Sequence, residues 1–270
     1  MMFSDKDFRS RYGPWALVAG GSTGMGAAYS RQLARKGLNV VLLADSAEPL
    51  QTLAQSLAVE YGVQTRSLLV DLAAPDLLTL VHAETRELEI GLVVYNAAHS
   101  VVGKFLEVSL ADKLKMVEVN CRGPVILAHH FGERMRERRR GGLIIVSSLA
   151  GFQGQAMVGT YAATKAFDLV IGEALWEEFR DHGVDVLAFC PGATRTPTFL
   201  ATRPRPAGVT VPLMDPEDAV AEALAALGAK PTHVAGRPNR LAAFVLHRLM
   251  PRRRSIELMS RTTRAMYEQR

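Results

Sequence analysis

The chain has 270 residues, of which 48% are hydrophobic and 22% charged, and its formal net charge is +5. This length suits one large α/β domain or two small ones, and a core of that size folds without disulfide bonds. The only cysteines, Cys121 and Cys190, are too few for a disulfide-built secreted protein and predict a reducing, cytoplasmic location. The charged N-terminus is unlike a secretory signal, and no apolar run is long enough to predict a membrane span.

The positive charge is concentrated at the C-terminus. Residues 231–270 contain nine arginines against Glu257 and Glu268, a balance of +7, which leaves −2 for the first 230 residues. A basic tail of this kind can bind nucleic acid, but a recognition motif would accompany it. The sequence contains no such motif, so we expect no nucleic-acid partner.

Short apolar runs alternate along the chain with segments of helical spacing. Such runs are typical of strands buried on both faces, as in a parallel sheet. The alternation predicts an α/β fold with a doubly wound parallel sheet, the Rossmann fold. The predicted strands are 15–19, 40–43, 67–70, 91–95, 142–147 and 184–189, and the predicted helices are 25–36, 49–61, 112–140 and 161–182.

The last third of the chain is less regular. Residues 196–215 contain four prolines and are predicted to be a loop, either a binding lid or a plain surface connection. We expect one dinucleotide-binding and catalytic domain over 1–236, with a basic helical extension over 237–270 packed on it. The apolar stretch 241–246 has two interpretations: it packs over a substrate pocket or subunit interface, or it rests on an anionic membrane surface.

A glycine-rich turn lies directly between the first predicted strand and the first predicted helix. Glycines allow a tight turn that approaches a pyrophosphate, and the helix N-terminus directs its amides at that anion. A glycine turn alone is a weak signal, but its place between strand and helix strengthens it. The turn residues predicted to bind a dinucleotide are Gly20, Ser22, Thr23, Gly24, Met25 and Gly26.

An acidic residue, Asp45, follows the second predicted strand, 19 residues after Gly26. This spacing is typical of a carboxylate that binds a ribose 2′-hydroxyl and repels the 2′-phosphate of NADP. No lysine or arginine lies in the turn or beside Asp45, so NAD(H) is favoured and NADP(H) stays open. The alternative interpretation of Asp45 is a turn-forming residue before a helix.

Tyr161 and Lys165 are four residues apart, so they share one face of the predicted helix. A tyrosine ordinarily has a pKa of about 10. A cation roughly 4 Å away stabilises the phenolate and makes the tyrosine suitable for general acid–base catalysis near neutral pH. No cysteine or acidic cluster suggests a metal ion, so we predict no metal site.

Five motifs, in order, resemble the short-chain dehydrogenase/reductase family, in its single-domain branch. They are the turn 20–26, Asn96-Ala97-Ala98 after the fourth strand, Ser147-Ser148 after the fifth, Tyr161 with Lys165, and Pro191-Gly192 after the sixth. The resemblance covers residues 13–200. Two positions depart from the family pattern, because Ala19 replaces its usual threonine and Tyr95-Asn96-Ala97-Ala98 replaces Asn-Asn-Ala-Gly.

The resemblance implies a role for each matching residue. Tyr161 would transfer the proton at the substrate oxygen, and Lys165 would bind the nicotinamide ribose and lower the Tyr161 pKa. Ser148 would polarise the substrate carbonyl, and Asn120 would hold a water of a proton relay. Further cofactor contacts would come from Asp71, Leu72, Asn96, Ala97, Ala98, Pro191, Gly192, Thr194 and Thr196, and further substrate contacts from Gln153 and Phe199.

The resemblance therefore implies an oxidoreductase that moves a hydride between NAD(H) and an alcohol or carbonyl compound. A membrane-associated tail would suit a lipophilic substrate, and the family implies a homodimer or homotetramer. The alternative is a non-catalytic regulatory or scaffold protein that binds a nucleotide on the same fold. Retention of Asn120, Ser148, Tyr161 and Lys165 together favours the enzyme, because a scaffold needs none of their chemistry.

Overall fold

A computed structural model describes residues 5–205 and 213–268. Its strands are β1 (Trp15–Ala19), β2 (Asn39–Ala44), β3 (Thr65–Leu69), β4 (Ile90–Tyr95), β5 (Gly141–Val146), β6 (Val184–Cys190) and β7 (Thr232–Val234). Its helices are α1 (Asp5–Tyr12), α2 (Gly24–Arg35), α3 (Ala47–Tyr61), α4 (Leu77–Thr85), α5 (Leu110–Val117), α6 (Gly123–Glu137), α7 (Gly159–Arg180), α8 (Pro197–Ala201), α9 (Pro216–Ala226), α10 (Arg237–Phe244) and α11 (Arg252–Tyr267).

All seven strands form one parallel sheet in the order β3-β2-β1-β4-β5-β6-β7. The chain winds outward from β1 to β3, then returns to place β4 on the other side of β1. Loops leaving β1 and β4 therefore diverge and open a crevice at the carboxyl ends of these strands. Open α/β sheets bind their ligands at such a switch point. The Rossmann fold predicted from the sequence is confirmed.

The sheet is covered on both faces, which explains why its strands are nearly continuous apolar runs. Helices α2, α3 and α9 cover one face of the sheet and form with it a buried cluster that includes Leu33, Leu50 and Val220. Helices α4, α6 and α7 cover the other face, in a cluster that includes Val81 and Phe131. Both layers leave the carboxyl ends of the strands accessible to a ligand.

The predicted single helix 112–140 is not one regular α-helix. Helices α5 and α6 are joined by a π-helical turn, Glu118–Arg122, which contains Asn120. The helix also ends at Glu137, because Arg139 adopts a left-handed backbone conformation with φ 53°. Single π-turns inside α-helices widen the helix locally and are frequent at functional sites.

Five elements were not predicted from the sequence: α1, α4, α8, α9 and β7. Strand β7 has only three residues, too few for a visible alternation pattern. In the predicted loop 196–215, the short helix α8 forms after Pro197, and residues 206–212 lie outside the described residues. After β7, helix α10 leads through a second π-helical turn, Val245–Leu249, into α11. Within the described ranges, no helix is long and apolar enough to cross a membrane.

Candidate active site

Two adjoining cavities lie at the carboxyl ends of the central strands. One of about 460 Å³ lies beyond β1 and β2, and one of about 340 Å³ lies beyond β5 and β6. They share the lining residues Met25, Asn96, Ala98, Thr196 and Thr198. We call them the cofactor cavity and the substrate cavity, and together they are large enough for a dinucleotide beside a second molecule.

The glycine-rich turn forms the floor of the cofactor cavity. Gly20 has φ +72°, a left-handed conformation that favours glycine. Gly26 is not a lining residue: it packs beneath the turn, where a β-carbon would overlap the carbonyl oxygen of Gly20. Thr23 precedes α2 without a side-chain cap, so the first amides of that helix remain for an anion. This arrangement fits a pyrophosphate.

Asp45 and Asp71 both lie at the rim of the cofactor cavity, but their hydrogen bonds differ. Asp45 is exposed after β2, and Ser46 Oγ lies 3.3 Å from its Oδ1. Asp71 accepts a hydrogen bond from the Ala73 N–H at 2.9 Å and one from Lys115 Nζ at 3.2 Å. The Ala73 N–H and Lys115 hold the pKa of Asp71 below its ordinary value. Leu72 lines the same cavity.

The segment after β4 forms the wall between the two cavities. Asn96 Nδ2 donates to the Gly20 carbonyl at 3.1 Å and so ties this segment to the glycine turn. Asn96 Oδ1 is buried and has no hydrogen-bond partner among the described residues. Ala97 and Ala98 continue the wall. An unpaired polar atom beside an uncapped helix N-terminus and a tight glycine turn fits a bound dinucleotide.

The predicted catalytic residues Ser148, Tyr161 and Lys165 all line the substrate cavity. Ser148 follows β5, and its Oγ accepts a hydrogen bond from the Ala150 N–H at 3.2 Å. A hydroxyl has one proton and two acceptor lone pairs, so the Ser148 proton is available to a substrate oxygen. Pro191, Gly192, Thr194 and Thr196 line the same cavity where the chain leaves β6.

Lys165 is fully buried, and its ammonium group makes two hydrogen bonds. Nζ donates to the Val146 carbonyl at 2.8 Å and to Asp168 Oδ2 at 2.8 Å. Burial alone would lower the pKa of Lys165, but the Asp168 carboxylate, together with Tyr161 and Cys121, more than offsets burial and raises that pKa above its ordinary value. An ammonium has three N–H groups, so one remains to bind a ribose hydroxyl.

Asn120 is fully buried in the π-helical turn and does not line either cavity. Its Oδ1 accepts from the His99 N–H at 2.8 Å, and its Nδ2 donates to the His99 carbonyl and to Thr164 Oγ1. Tyr95, one of the departures from the family pattern, donates from its hydroxyl to the Val119 carbonyl at 2.6 Å. These bonds tie the turn to β4, to the segment after it and to α7.

The two predicted substrate contacts lie in different places. Phe199 lines the substrate cavity, whereas Gln153 is buried outside its lining, and Gln155 takes a place there instead. The sequence analysis also missed a wall formed by α11. Its lining residues, Met259, Thr262, Thr263, Met266 and Tyr267, follow helical spacing. That spacing marks one helix face, but it does not reveal what the face covers.

Hydrogen bonds hold α11 against the loop after β5 and against α8. Ser260 Oγ accepts from the Ala156 N–H at 3.0 Å, and Thr263 Oγ1 donates to Gln155 Oε1 at 3.2 Å. The Arg205 N–H donates to the Met266 carbonyl at 3.1 Å. The last helix of the basic extension therefore packs over the pocket, and both interpretations of 241–246 stay open. Among the described residues, no group of three or more histidine, cysteine or acidic side chains could hold a metal ion.

Comparison with known proteins identifies the family of this chain. The family model for short chain dehydrogenase matches residues 14–206. A 7beta-hydroxysteroid dehydrogenase of Clostridium sardiniense is 33% identical over 234 residues, which are 87% of this chain and 90% of that protein. A very-long-chain 3-oxoacyl-CoA reductase of Mus musculus is 28% identical over 89% of this chain and 74% of its own length.

Solved structures give the same result. A structure from a study of 7beta-hydroxysteroid dehydrogenase stereoselectivity superposes with a TM-score of 0.87 at 31% identity, covering 93% of this chain and 98% of that one. A short-chain dehydrogenase from Sphingobium yanoikuyae in complex with NADPH has a TM-score of 0.75 at 30% identity, covering 85% and 90%. The implied oxidoreductase with a nicotinamide dinucleotide cofactor is confirmed. This chain belongs to the short-chain dehydrogenase family, and it transfers a hydride between that cofactor and an alcohol or ketone.

Proposed function

We propose that the protein oxidises or reduces one secondary hydroxyl or keto group on a hydroxysteroid. The observation that carries this proposal is the wall that α11 adds to the substrate cavity. The wall adds Met259 and Met266 to the lining of the cavity of about 340 Å³ that Ser148, Tyr161 and Lys165 also line. Among the described lining residues, Lys165 is the only charged one. A mainly apolar surface that also presents hydroxyl and amide groups suits a large, rigid, uncharged ring system that carries hydroxyl or keto groups.

The geometry of the chain's own groups supports a proposed role for each candidate catalytic residue. We propose that Tyr161 gives or takes the proton at the substrate oxygen, while Ser148 donates a hydrogen bond to that oxygen. Lys165 lies close to Tyr161 and uses its remaining N–H to bind the ribose of the cofactor. The nicotinamide, when bound, supplies or accepts the hydride. The amide of Asn120 is already bonded to His99 and Thr164, so it acts by fixing the π-helical turn that would carry a relay water.

A substitution on α11 tests the substrate proposal. Met266→Trp places a larger side chain in the cavity, so we expect kcat/KM for a 7β-hydroxysteroid to fall at least about fivefold, since overpacking costs roughly 1–3 kcal/mol. NADH binding, followed by fluorescence, should stay unchanged because α11 does not line the cofactor cavity. The matched control is Arg261→Trp on an exposed position of the same helix.

Two results would contradict the steroid proposal. One is unchanged steroid oxidation by the Met266 variant alongside the Arg261 control. The other is a preference of the parent enzyme for short aliphatic alcohols over steroids. Neither result would contradict the hydride-transfer chemistry of the family, because turnover of the short aliphatic alcohols would still measure it.

We also propose that NAD(H) is preferred over NADP(H). The support is the exposed Asp45 carboxylate at the rim of the cofactor cavity, where it would repel a 2′-phosphate. With Asp45→Ser, we expect NADH to bind several-fold more weakly and NADPH more tightly, so that the preference shifts by about tenfold or more. Parallel fluorescence titrations measure it, with the exposed Glu48→Gln as control. An unchanged ratio would show that Asp45 does not contact the ribose.

A homodimer through α5 and α7 is part of the proposal. These neighbouring helices expose apolar side chains on one surface: Leu110, Leu114 and Val117 on α5, and Phe167 and Val170 on α7. The exposed fraction of Leu110 is 70% and that of Val170 is 64%. A second copy of the chain would bury this surface, and a tetramer would need a further surface. Light scattering of the purified chain measures the assembly.

The membrane alternative for the tail now concerns α10 and the π-helical turn after it. Leu241, Phe244 and Leu249 are more than half exposed there, next to Arg248. We propose contact with an anionic membrane surface at this patch, and co-sedimentation with phosphatidylserine vesicles tests it.

Cys121 and Cys190 are unpaired thiols, which supports the proposed location in a reducing cytoplasm.

A further inference from the structure

A second ionisable group is buried beside the catalytic lysine. Tyr161, Lys165 and Asp168 are spaced i, i+4 and i+7 on α7, so they share one helix face. The side chains of Lys165 and Asp168 are 2% and 1% exposed, and Nζ lies 2.8 Å from Oδ2. The other carboxylate oxygen, Oδ1, has no hydrogen-bond partner among the described residues.

The fold itself gains little from such a pair. Removing two charges from water costs several kcal/mol per ion, and apolar replacements of buried ion pairs are often neutral or stabilising. A carboxylate with one unsatisfied oxygen is a poor source of stability. The presence of Asp168 therefore calls for a role in the chemistry, and its only ionic contact among the described residues is Lys165.

Other titratable groups face the pair from each neighbouring element. They are Tyr161 on α7 itself, Tyr95 from β4, Cys121 from the π-helical turn and Cys190 from β6. Burial raises the pKa of Cys121 to about 11 and that of Cys190 to about 12. Burial also holds the pKa of Tyr95 well above its ordinary value. These three groups stay neutral at working pH, which leaves Asp168 as the anion that balances Lys165.

We propose that Asp168 is a positioning residue for the reaction: it holds the Lys165 ammonium at the end of β5 and balances its charge. Two of the three Nζ protons are then directed at Val146 and Asp168, and the third is directed by that geometry toward the cavity that holds Tyr161. A neutral Lys165 would not stabilise the phenolate of Tyr161. The proposal rests on the hydride-transfer chemistry of the family and not on the steroid substrate.

The direct test is titration of Lys165 by NMR, which needs no substrate. Lysine is labelled with ¹³C at Cε, and the Lys165 resonance is identified by its loss in Lys165→Arg. In the parent protein we expect Lys165 to titrate above its ordinary pKa of about 10.4. Asp168→Asn is a near-isosteric change that removes the negative charge. Burial of Lys165 is then no longer offset, and its pKa should fall by at least about one unit.

The pH profile of alcohol oxidation gives a second readout, with a 7β-hydroxysteroid and NAD as the probe. In Asp168→Asn, kcat/KM should fall least near pH 7, where Lys165 keeps most of its proton. Near pH 10 it should be several-fold lower, because a downward shift of about one unit leaves most of the lysine neutral there. Asp168→Glu restores the charge and should restore the parental profile. Glu177→Gln, on the exposed side of α7, is the matched control.

Two outcomes would overturn the proposal. The first is a Lys165 resonance in the parent protein that titrates below the ordinary lysine pKa, a result that does not depend on any variant folding. The second is an Asp168→Asn enzyme that loses activity equally at every pH, with a lower melting temperature, since this is what a purely structural role predicts. Absence of steroid turnover in the parent protein affects only the substrate proposal, because the NMR titration stands without it.

Discussion

Tyr161→Phe is expected to lower kcat about 10³-fold while NADH still binds with the parental affinity. General acid–base catalysis contributes about 10²–10⁴-fold, and phenylalanine removes the only atom of this side chain that exchanges a proton. The ring and its packing stay, so the cavity that Tyr161 lines with Ser148 and Lys165 keeps its shape. Steady-state oxidation of a 7β-hydroxysteroid with NAD and a fluorescence titration of NADH measure the two quantities.

A second tyrosine provides the matched control for this substitution. Tyr267 on α11 lines the same cavity, and its hydroxyl is 3.2 Å from Thr202 Oγ1. Tyr267→Phe removes the same atom from the same cavity but from the opposite wall, so we expect a change in KM rather than in kcat. Equal losses of kcat in both variants would show that a phenol hydroxyl matters here for substrate fit and not for proton transfer.

Ser148→Ala is expected to lower kcat about 10²-fold, with a smaller effect on KM. The hydroxyl proton of Ser148 is available because Oγ only accepts, from the Ala150 N–H. A donor aimed at the oxygen where charge develops is typically worth about 10²–10³ in kcat. The adjacent Ser147 supplies the control, since its Oγ donates to the Lys165 carbonyl at 2.6 Å.

Ser147→Ala should behave differently from Ser148→Ala. It removes one buried hydrogen bond, so we expect a loss of about 1 kcal/mol in the free energy of unfolding. Its effect on kcat should be far smaller, because the hydroxyl faces the backbone of α7 and not the substrate oxygen. A larger kinetic loss at Ser147 than at Ser148 would contradict the assignment of the catalytic serine, which rests on the 13-residue spacing to Tyr161.

Much of the molecule could be predicted from local sequence signals. The buried strands are apolar runs, and the turn 20–26 needs its glycines for its conformation and its close packing. Tyr161 and Lys165 share a face because α-helices repeat every 3.6 residues. These features depend on residues near one another in the chain, so the sequence alone determined the Rossmann fold, the glycine turn and the candidate catalytic residues near the strand ends.

Only the tertiary structure shows which segments that are distant in the chain pack together and which side chains this packing buries. The helical spacing of Met259, Thr263 and Met266 was visible in the sequence, but only packing against the loop after β5 makes that face a wall of the substrate cavity. The sequence spacing puts Asp168 on the same helix face as Lys165. Only the tertiary structure shows that both side chains are buried and that Lys165 Nζ lies 2.8 Å from Asp168 Oδ2. The physical reason is that burial and charge balance depend on every element packed around a group, whereas spacing along a helix depends only on the helix.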